Sequence, residues 1–541
     1  MTSRQRPPRT ARLLRRTLRG LPPRRYEVGH RPGLTVPAAD GSPLLTDRYF
    51  PLGPGRFPTV LLRSPYGRGF PWAPMYGLAL AEQGFNVVLQ SCRGTAGSGG
   101  ESALWRHERA DGLATLEWLR GQPWFTGVLG TVGPSYLGYA QWALAAERPP
   151  ELRAMVLLNA IHDPHAFFWS GGVFNLENAL VATVGLEHFQ RGVGALLGAS
   201  LRLRRNLRRA TTGLPLREAY TAGTGGRVPY LEEAMDRPAA DDPFWAGADL
   251  GPGTEHSTVP TALITGWSDV CLGQTLRQWE RLRGSATPAS LLVGPWTHTS
   301  ALGPGWADVH RETLAWLRAH LTDDPSGLRP TPVRVHTDGQ WQDLPDWPAA
   351  GPTRHWYLAD GALTVEHPAA AGPVTFRCDP SDPTPSTGGA LLSDQAGPRR
   401  NNRREAHPDV LTFDGEPLTA PLRLLGAPRL DLTVDSDHAD LFVRLCDVDP
   451  RGRSVNIADG IRRLSPTGID PATVTLELDP TAHTFAIGHR LRVQLSGAPH
   501  PRYALNPGTG EPFPTATRLE PARITVHQPA VLGTRDSGRT P

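Results

Sequence analysis

Six short apolar runs limit what this chain can fold into: PTVLLR at 58–63, FNVVLQ at 85–90, GVLGTVG at 127–133, RAMVLLNA at 153–160, PTALITG at 260–266 and ASLLVGP at 289–295. None alternates polar with apolar residues, so they fit strands covered on both faces, as in a parallel sheet. Between the second and third, ERADGLATLEWLRGQ places Ala110, Leu113, Leu116, Trp118 and Leu119 at mostly helical spacing. Strands alternating with helices are the grammar of βαβ units. The strand signal pauses near residue 165 and resumes at 260; the intervening segment, which includes VGALLGASLRLRRNLRRA, reads as helices inserted into the α/β domain as a cap. After residue 330, Pro, Gly and Asp turns separate alternating runs such as PRLDLTVDS, DLFVRLCDVD, ATVTLELD and HRLRVQLS. Many short strands at this spacing indicate an antiparallel sandwich or jelly roll.

A chain of 541 residues exceeds one compact core and implies two or three domains. The expected division is a basic, disordered tail at 1–25, an α/β domain at 26–165 and 250–325, a helical cap at 166–249, and a jelly roll at 326–541 with 531–541 disordered. Nine of the 56 basic residues fall in the first 25, with none of the 52 acidic ones, so the body of the chain is mildly acidic. A basic tail without base-reading elements gives only nonspecific phosphate attraction, which argues against a nucleic-acid enzyme. Arg202, Arg204, Arg205, Arg208 and Arg209 in the cap could meet an acidic partner, although a solvated helix face is the simpler reading. No apolar stretch follows the basic start, so neither a secretory signal nor a membrane span is indicated, and a cytoplasmic enzyme is expected. Cys92, Cys271, Cys378 and Cys446 are scattered without CxxC spacing and read as buried thiols.

The stretch VGPSYLGYAQW at 132–142 places Ser135 between a strand and a helix. At such an elbow the strained backbone exposes the hydroxyl and the helix N-terminus favours negative charge. The usual pattern is G-x-S-x-G, whereas here Leu137 stands two positions after the serine and the second glycine is Gly138. Downstream, LITGWSDV places Asp269 just beyond a strand and LLVGPWTHTS does the same for His298. Carboxyl ends of parallel strands share one edge, so the three side chains can converge; the order Ser, Asp, His is that of α/β-hydrolases. Tyr66, at an early strand end in LLRSPYGRGF, has a phenol that stays protonated and can donate to an oxyanion, with the Tyr136 amide as the other donor. The bland reading of Tyr66 is a ring packed beneath the cap.

With these residues in view, the chain resembles the cocaine esterase-like members of the X-prolyl dipeptidyl-peptidase group of serine hydrolases. RSPYGRG, CRGTAGSGGE followed by ERADGLATLEWLRGQPW, GPSYLGYAQW, GWSDV and GPWTH carry the resemblance, and the C-terminal stretches PLRLLGAPRLDLTVDSDHADLFVRLCDVDPRGRSVNIADGIRRL and HRLRVQLSGAPHPRYALNPGTG extend it. That family's nucleophile motif is G-x-S-Y-x-G, which matches the displaced glycine. The resemblance implies Ser135 as nucleophile, His298 as base, Asp269 as its orienter, and Tyr66 with the Tyr136 amide as oxyanion donors.

The expected protein is thus an α/β-hydrolase with an inserted helical cap and a C-terminal all-β jelly roll. It cleaves an ester or amide of a small acyl group through an acyl-enzyme, most simply as a carboxylesterase. An X-prolyl dipeptidyl-peptidase or amide acylase uses the same machinery, and a catalytically silent binding protein is the alternative of another class. No metal or organic cofactor is required. The partner is a small-molecule ester or amide, with no nucleic acid and no membrane; a homodimer is left open. Asp435, Asp437, Asp440, Asp447 and Asp449 lack a closed calcium-ligand loop and read as turn and strand-edge acids. SCRGTAGSGG at 91–100 lacks the ending of a phosphate loop and reads as a shaped loop near the site.

Overall fold

The computed structural model describes residues 6–190, 205–349, 351–369, 371–468 and 470–535. All six apolar runs are strands of one ten-stranded sheet: β3 (Thr59–Ser64), β4 (Asn86–Ser91), β5 (Leu129–Pro134), β6 (Leu152–Leu158), β9 (Thr261–Ser268) and β10 (Ala289–Thr297). They pair in parallel in the order β4-β3-β5-β6-β9-β10. Every residue of β3, β4 and β5 is buried, as strands covered on both faces must be. Two large apolar clusters, one including Leu62, Val132 and Ile264 and the other Leu61, Met155 and Leu263, form the core of this domain.

Further strands flank these six at both edges of the sheet. β1 (Glu27–Pro37) and β2 (Pro43–Leu52) form an antiparallel pair that joins β4. β11 (Val333–Thr337) adds in parallel to β10, and β12 (Gln340–Leu344) closes that edge antiparallel. Residues 333–344, on the C-terminal side of the expected boundary, thus pair with the α/β sheet. Their alternating pattern is that of an edge hairpin, which looks the same in either sheet.

The basic tail is corrected as well. Residues 9–17 form a helix with Ala11 buried, Leu18 and Leu21 pack on the α/β core, and Arg15 and Arg24 both pair with Glu82. Composition revealed the arginines but not the buried carboxylate that receives them.

The cap includes helices Pro164–Phe168, Leu176–Gln190 and Pro229–Asp236 and a small hairpin of β7 (Trp169–Ser170) and β8 (Val173–Phe174). Its core joins Phe168, Phe174, Leu231 and Trp245 to Ala504 and Phe513 of the C-terminal domain. Arg205, Arg208 and Arg209 are exposed, as a solvated face requires, while Arg202 and Arg204 lie outside the described residues. The C-terminal domain is an all-β unit of largely antiparallel strands around its own core. Its last strand, Ala522–Arg535, pairs with three others, so residues 531–535 are ordered structure and only 536–541 lie outside the description. The acids read as turn and strand-edge groups are separately engaged: Asp435 with His527, Asp440 with Arg463, Asp447 with His483 and His489, Asp437 and Asp449 with backbone N–H groups. Cys92, Cys271 and Cys446 are buried, and Cys378 is partly so. Among the described residues no helix is long and apolar enough to cross a membrane.

Candidate active site

Ser135 sits where β5 turns into the helix Tyr136–Ala145, with φ 57° and ψ −123°, a strained conformation for a residue with a side chain. The turn is anchored because Ser135 donates its N–H to the Leu158 carbonyl and its own carbonyl accepts from Gly138. The position of the second glycine follows from packing. A Cβ on Gly138 would meet the Cβ of Ala160 at 2.4 Å, and one on Gly133 would meet Leu137 at 2.6 Å. Leu137 is itself buried in the core, so the chain needs its small residue at 138 rather than 137.

Asp269 follows β9 and His298 follows β10. His298 Nδ1 lies 2.7 Å from Asp269 Oδ1. The same carboxylate accepts the Cys271 N–H at 3.1 Å and, through Oδ2, the Thr265 hydroxyl at 2.9 Å; its side chain is wholly buried. Asn159, in left-handed conformation at the end of β6, donates its side-chain amide to the His298 carbonyl at 3.0 Å, holding that loop. Neither Thr265 nor Asn159 was identified from sequence, though a threonine in the middle of a strand buried on both faces is a readable signal of a polar partner. Asp269, Cys271 and His298 come within metal-ligand spacing of one another. However, Asp269 Oδ1 and His298 Nδ1 are bonded to each other, and burial with the nearby Asp269 charge pushes the Cys271 thiol well up.

Ser135, His298, Tyr66 and Tyr136 line one cavity of about 300 Å³ beneath the cap. Tyr66 hydrogen-bonds Ser135, and burial, its largest influence, pushes the phenol up to about 12 despite that bond. It therefore remains a proton donor at neutral pH. Tyr136 is the first residue of its helix, where backbone N–H groups have no intrahelical acceptor. All four carboxyl strand ends named from sequence thus reach the same cavity or, for Asp269, the histidine on its wall.

Beneath the elbow is a charged network that sequence did not reveal. The Tyr136 phenol donates to Glu108 at 3.0 Å and accepts the Trp105 N–H at 2.7 Å. Glu108 pairs with Arg63 at 2.9 Å, side chains 6% and 2% exposed, and Asp111 pairs with Arg93. The helix Glu108–Arg120 consequently buries Glu108 and Asp111, while Leu113, expected on its inner face, is exposed. We expect Glu108→Ala to cost about 3 to 5 kcal/mol of stability, because it leaves the Arg63 charge buried without its main partner. Chemical denaturation of the two proteins side by side measures this; a loss below about 1 kcal/mol would show that Asp111 suffices for Arg63.

Comparison with known proteins agrees with this architecture. Residues 40–300 match the X-Pro dipeptidyl-peptidase (S15 family) model, and residues 327–530 match the X-Pro dipeptidyl-peptidase C-terminal non-catalytic domain. Cocaine esterase of Rhodococcus sp. (strain MB1 Bresler) is 29% identical over 542 aligned residues, which cover 88% of this chain and 92% of that protein. Among solved structures, an α-amino acid ester hydrolase superposes with a TM-score of 0.78 at 22% identity, covering 94% of this chain and 96% of that one. A CocE/NonD family hydrolase from Staphylococcus aureus superposes with a TM-score of 0.69 at 18% identity, covering 94% of each chain. With a catalytic and a C-terminal model matched in sequence and the same two-domain fold in space, the chain belongs to the X-Pro dipeptidyl-peptidase (S15) family of serine hydrolases, as a homologue of cocaine esterase.

Proposed function

We propose that the protein is a carboxylesterase that works through a Ser135 acyl-enzyme with His298 as base and Asp269 as its orienter. The observation that carries this reading is the 2.7 Å bond between His298 Nδ1 and Asp269 Oδ1 on the wall of the cavity that Ser135 lines. Holding the Nδ1–H fixes the tautomer whose Nε2 lone pair accepts the serine proton. The Ser135 oxygen attacks the ester carbonyl, and the tetrahedral oxyanion takes hydrogen bonds from the Tyr66 phenol and the Tyr136 amide. His298 returns the proton to the leaving alcohol. Water, deprotonated by the same histidine, then attacks the acyl-enzyme and releases the acid. A silent binding protein has no physical need for a buried aspartate holding a histidine beside a strained serine.

Acid quenching during turnover of an activated ester, followed by intact-mass measurement, tests the covalent path. The chain is expected to gain the mass of one acyl group and to lose it when substrate is exhausted. Unchanged mass throughout turnover would contradict the mechanism.

Tyr66→Phe separates donation from packing, because it keeps the ring and removes only the hydroxyl. A donor aimed at developing charge contributes about 2.7 to 4 kcal/mol to the barrier, so kcat is expected to fall about 10²- to 10³-fold with little change in KM. A kcat within about threefold of the parent enzyme would assign Tyr66 to packing.

A further inference from the structure

Among the described residues, the lining of the cavity that Ser135 shares with His298 is mostly apolar and includes no Asp, Glu or Arg. Most of its hydroxyls are already directed elsewhere: Tyr136 to Glu108, Tyr139 to the Ala248 carbonyl at 3.0 Å, Tyr230 to Thr183 at 3.0 Å and Thr183 to the Ala179 carbonyl at 2.8 Å. What remains around the reacting serine is a wall of rings and aliphatic groups, including Trp72, Trp105, Phe167, Phe168 and Leu302.

The carboxylates just outside that wall are committed. Glu108 lies under Tyr136 against Arg63. Asp163 caps the helix Pro164–Phe168, accepting from the Ala166 N–H, and its charge and that of Asp249 are felt by Arg277. Glu187 acts on Tyr230 but does not line the cavity, and it has an interaction of its own. The cap stretch 191–204, outside the described residues, contains three arginines and no acidic residue. Whatever its placement, it offers no anion.

From this lining we infer that the substrate is an ester whose acyl group is neutral and apolar, aromatic or branched alkyl, and that a free α-ammonium on that acyl group is rejected. The inference rests on the acyl-enzyme reading above and narrows it. A primary ammonium brought here loses water and finds no carboxylate, which is costly for any buried charge. Aromatic faces attract cations, but Trp105 is stacked on Trp245 and Phe168 on Phe174, which covers one face of each. Rings also cannot accept three N–H bonds as carboxylates and carbonyls do. An apolar acyl group, by contrast, gains from every contact with this wall.

A matched pair of methyl esters tests it: 3-phenylpropanoate and L-phenylalanine differ by the α-amino group alone. At pH 6 the enzyme is expected to show at least a hundredfold higher kcat/KM for the phenylpropanoate. At pH 9, above the usual α-amino pKa of about 8, the ratio is expected to shrink at least tenfold; effects of pH on the enzyme itself cancel within it. A ratio near one at pH 6 would mean that the ammonium is accommodated, and a large ratio unchanged at pH 9 would mean that exclusion is steric. Either result overturns the inference. Labelling with a fluorophosphonate in parallel keeps the two levels apart. If Ser135 is labelled and the ratio fails, the substrate class alone is wrong; if no label attaches, the acyl-enzyme reading falls and the inference with it.

Discussion

Ser135→Ala is expected to lower kcat about 10⁴- to 10⁶-fold while leaving the fold intact, since it removes the one atom proposed to be acylated and nothing else. The turn itself does not depend on the hydroxyl: its anchors are the Ser135 N–H on Leu158 and the Gly138 N–H on the Ser135 carbonyl, and an alanine keeps both. The residues act as a unit, so Ser135→Ala combined with His298→Ala should be little worse than either change alone. Steady-state turnover of a methyl or aryl ester measures both variants, with circular dichroism as the control for folding. If the alanine variant retains more than about a tenth of the parent activity, Ser135 is not the nucleophile.

Asp269→Asn is expected to cost about 10⁴ in kcat, by the logic that holds for other triads. The carboxylate accepts from three donors, the His298 Nδ1–H, the Cys271 N–H and the Thr265 hydroxyl. An amide in the same place accepts from fewer and presents N–H groups of its own. Turning its oxygen toward Cys271 and His298 sets an NH2 against Thr265, whose hydroxyl must then rotate to accept. Turning it the other way sets an N–H against Nδ1 and selects the tautomer that cannot take the serine proton. A loss below about tenfold, measured at saturating ester, would show that His298 is oriented by something other than Asp269.

The grouping of these residues was readable in the sequence because they stand at the ends of strands. Ser135, Asp269 and His298 each follow a buried apolar run, and a parallel sheet gathers such positions along one edge whatever their separation in the chain. The displaced glycine was readable only as a family pattern; its cause, the approach of Gly138 to Ala160, involves a residue just past the end of β6 and has no local signature. The same limit hid the network under Tyr136. Arg63, Glu108 and Asp111 come from a strand and a helix that meet only in the fold, and the periodicity that put Leu113 inside took charge as a sign of exposure. The helix Arg9–Thr17 was missed for the opposite reason: nine arginines dominate the composition of residues 1–25, while Glu82, which receives Arg15 of the helix and Arg24 beyond it, lies far along the chain. The pairing of the hairpin at 333–344 with the α/β sheet was not legible because an edge pair carries no mark of the sheet it joins.

The most direct measurement of the central claim is the location of a covalent label. The protein is treated with a fluorophosphonate, digested, and its peptides read by tandem mass spectrometry. One phosphonyl group per chain is expected on the Ser135 hydroxyl, with none on Ser135→Ala and far slower labelling of His298→Ala, because the attacking oxygen needs that base. No adduct on the folded protein, or an adduct confined to another residue, would contradict it.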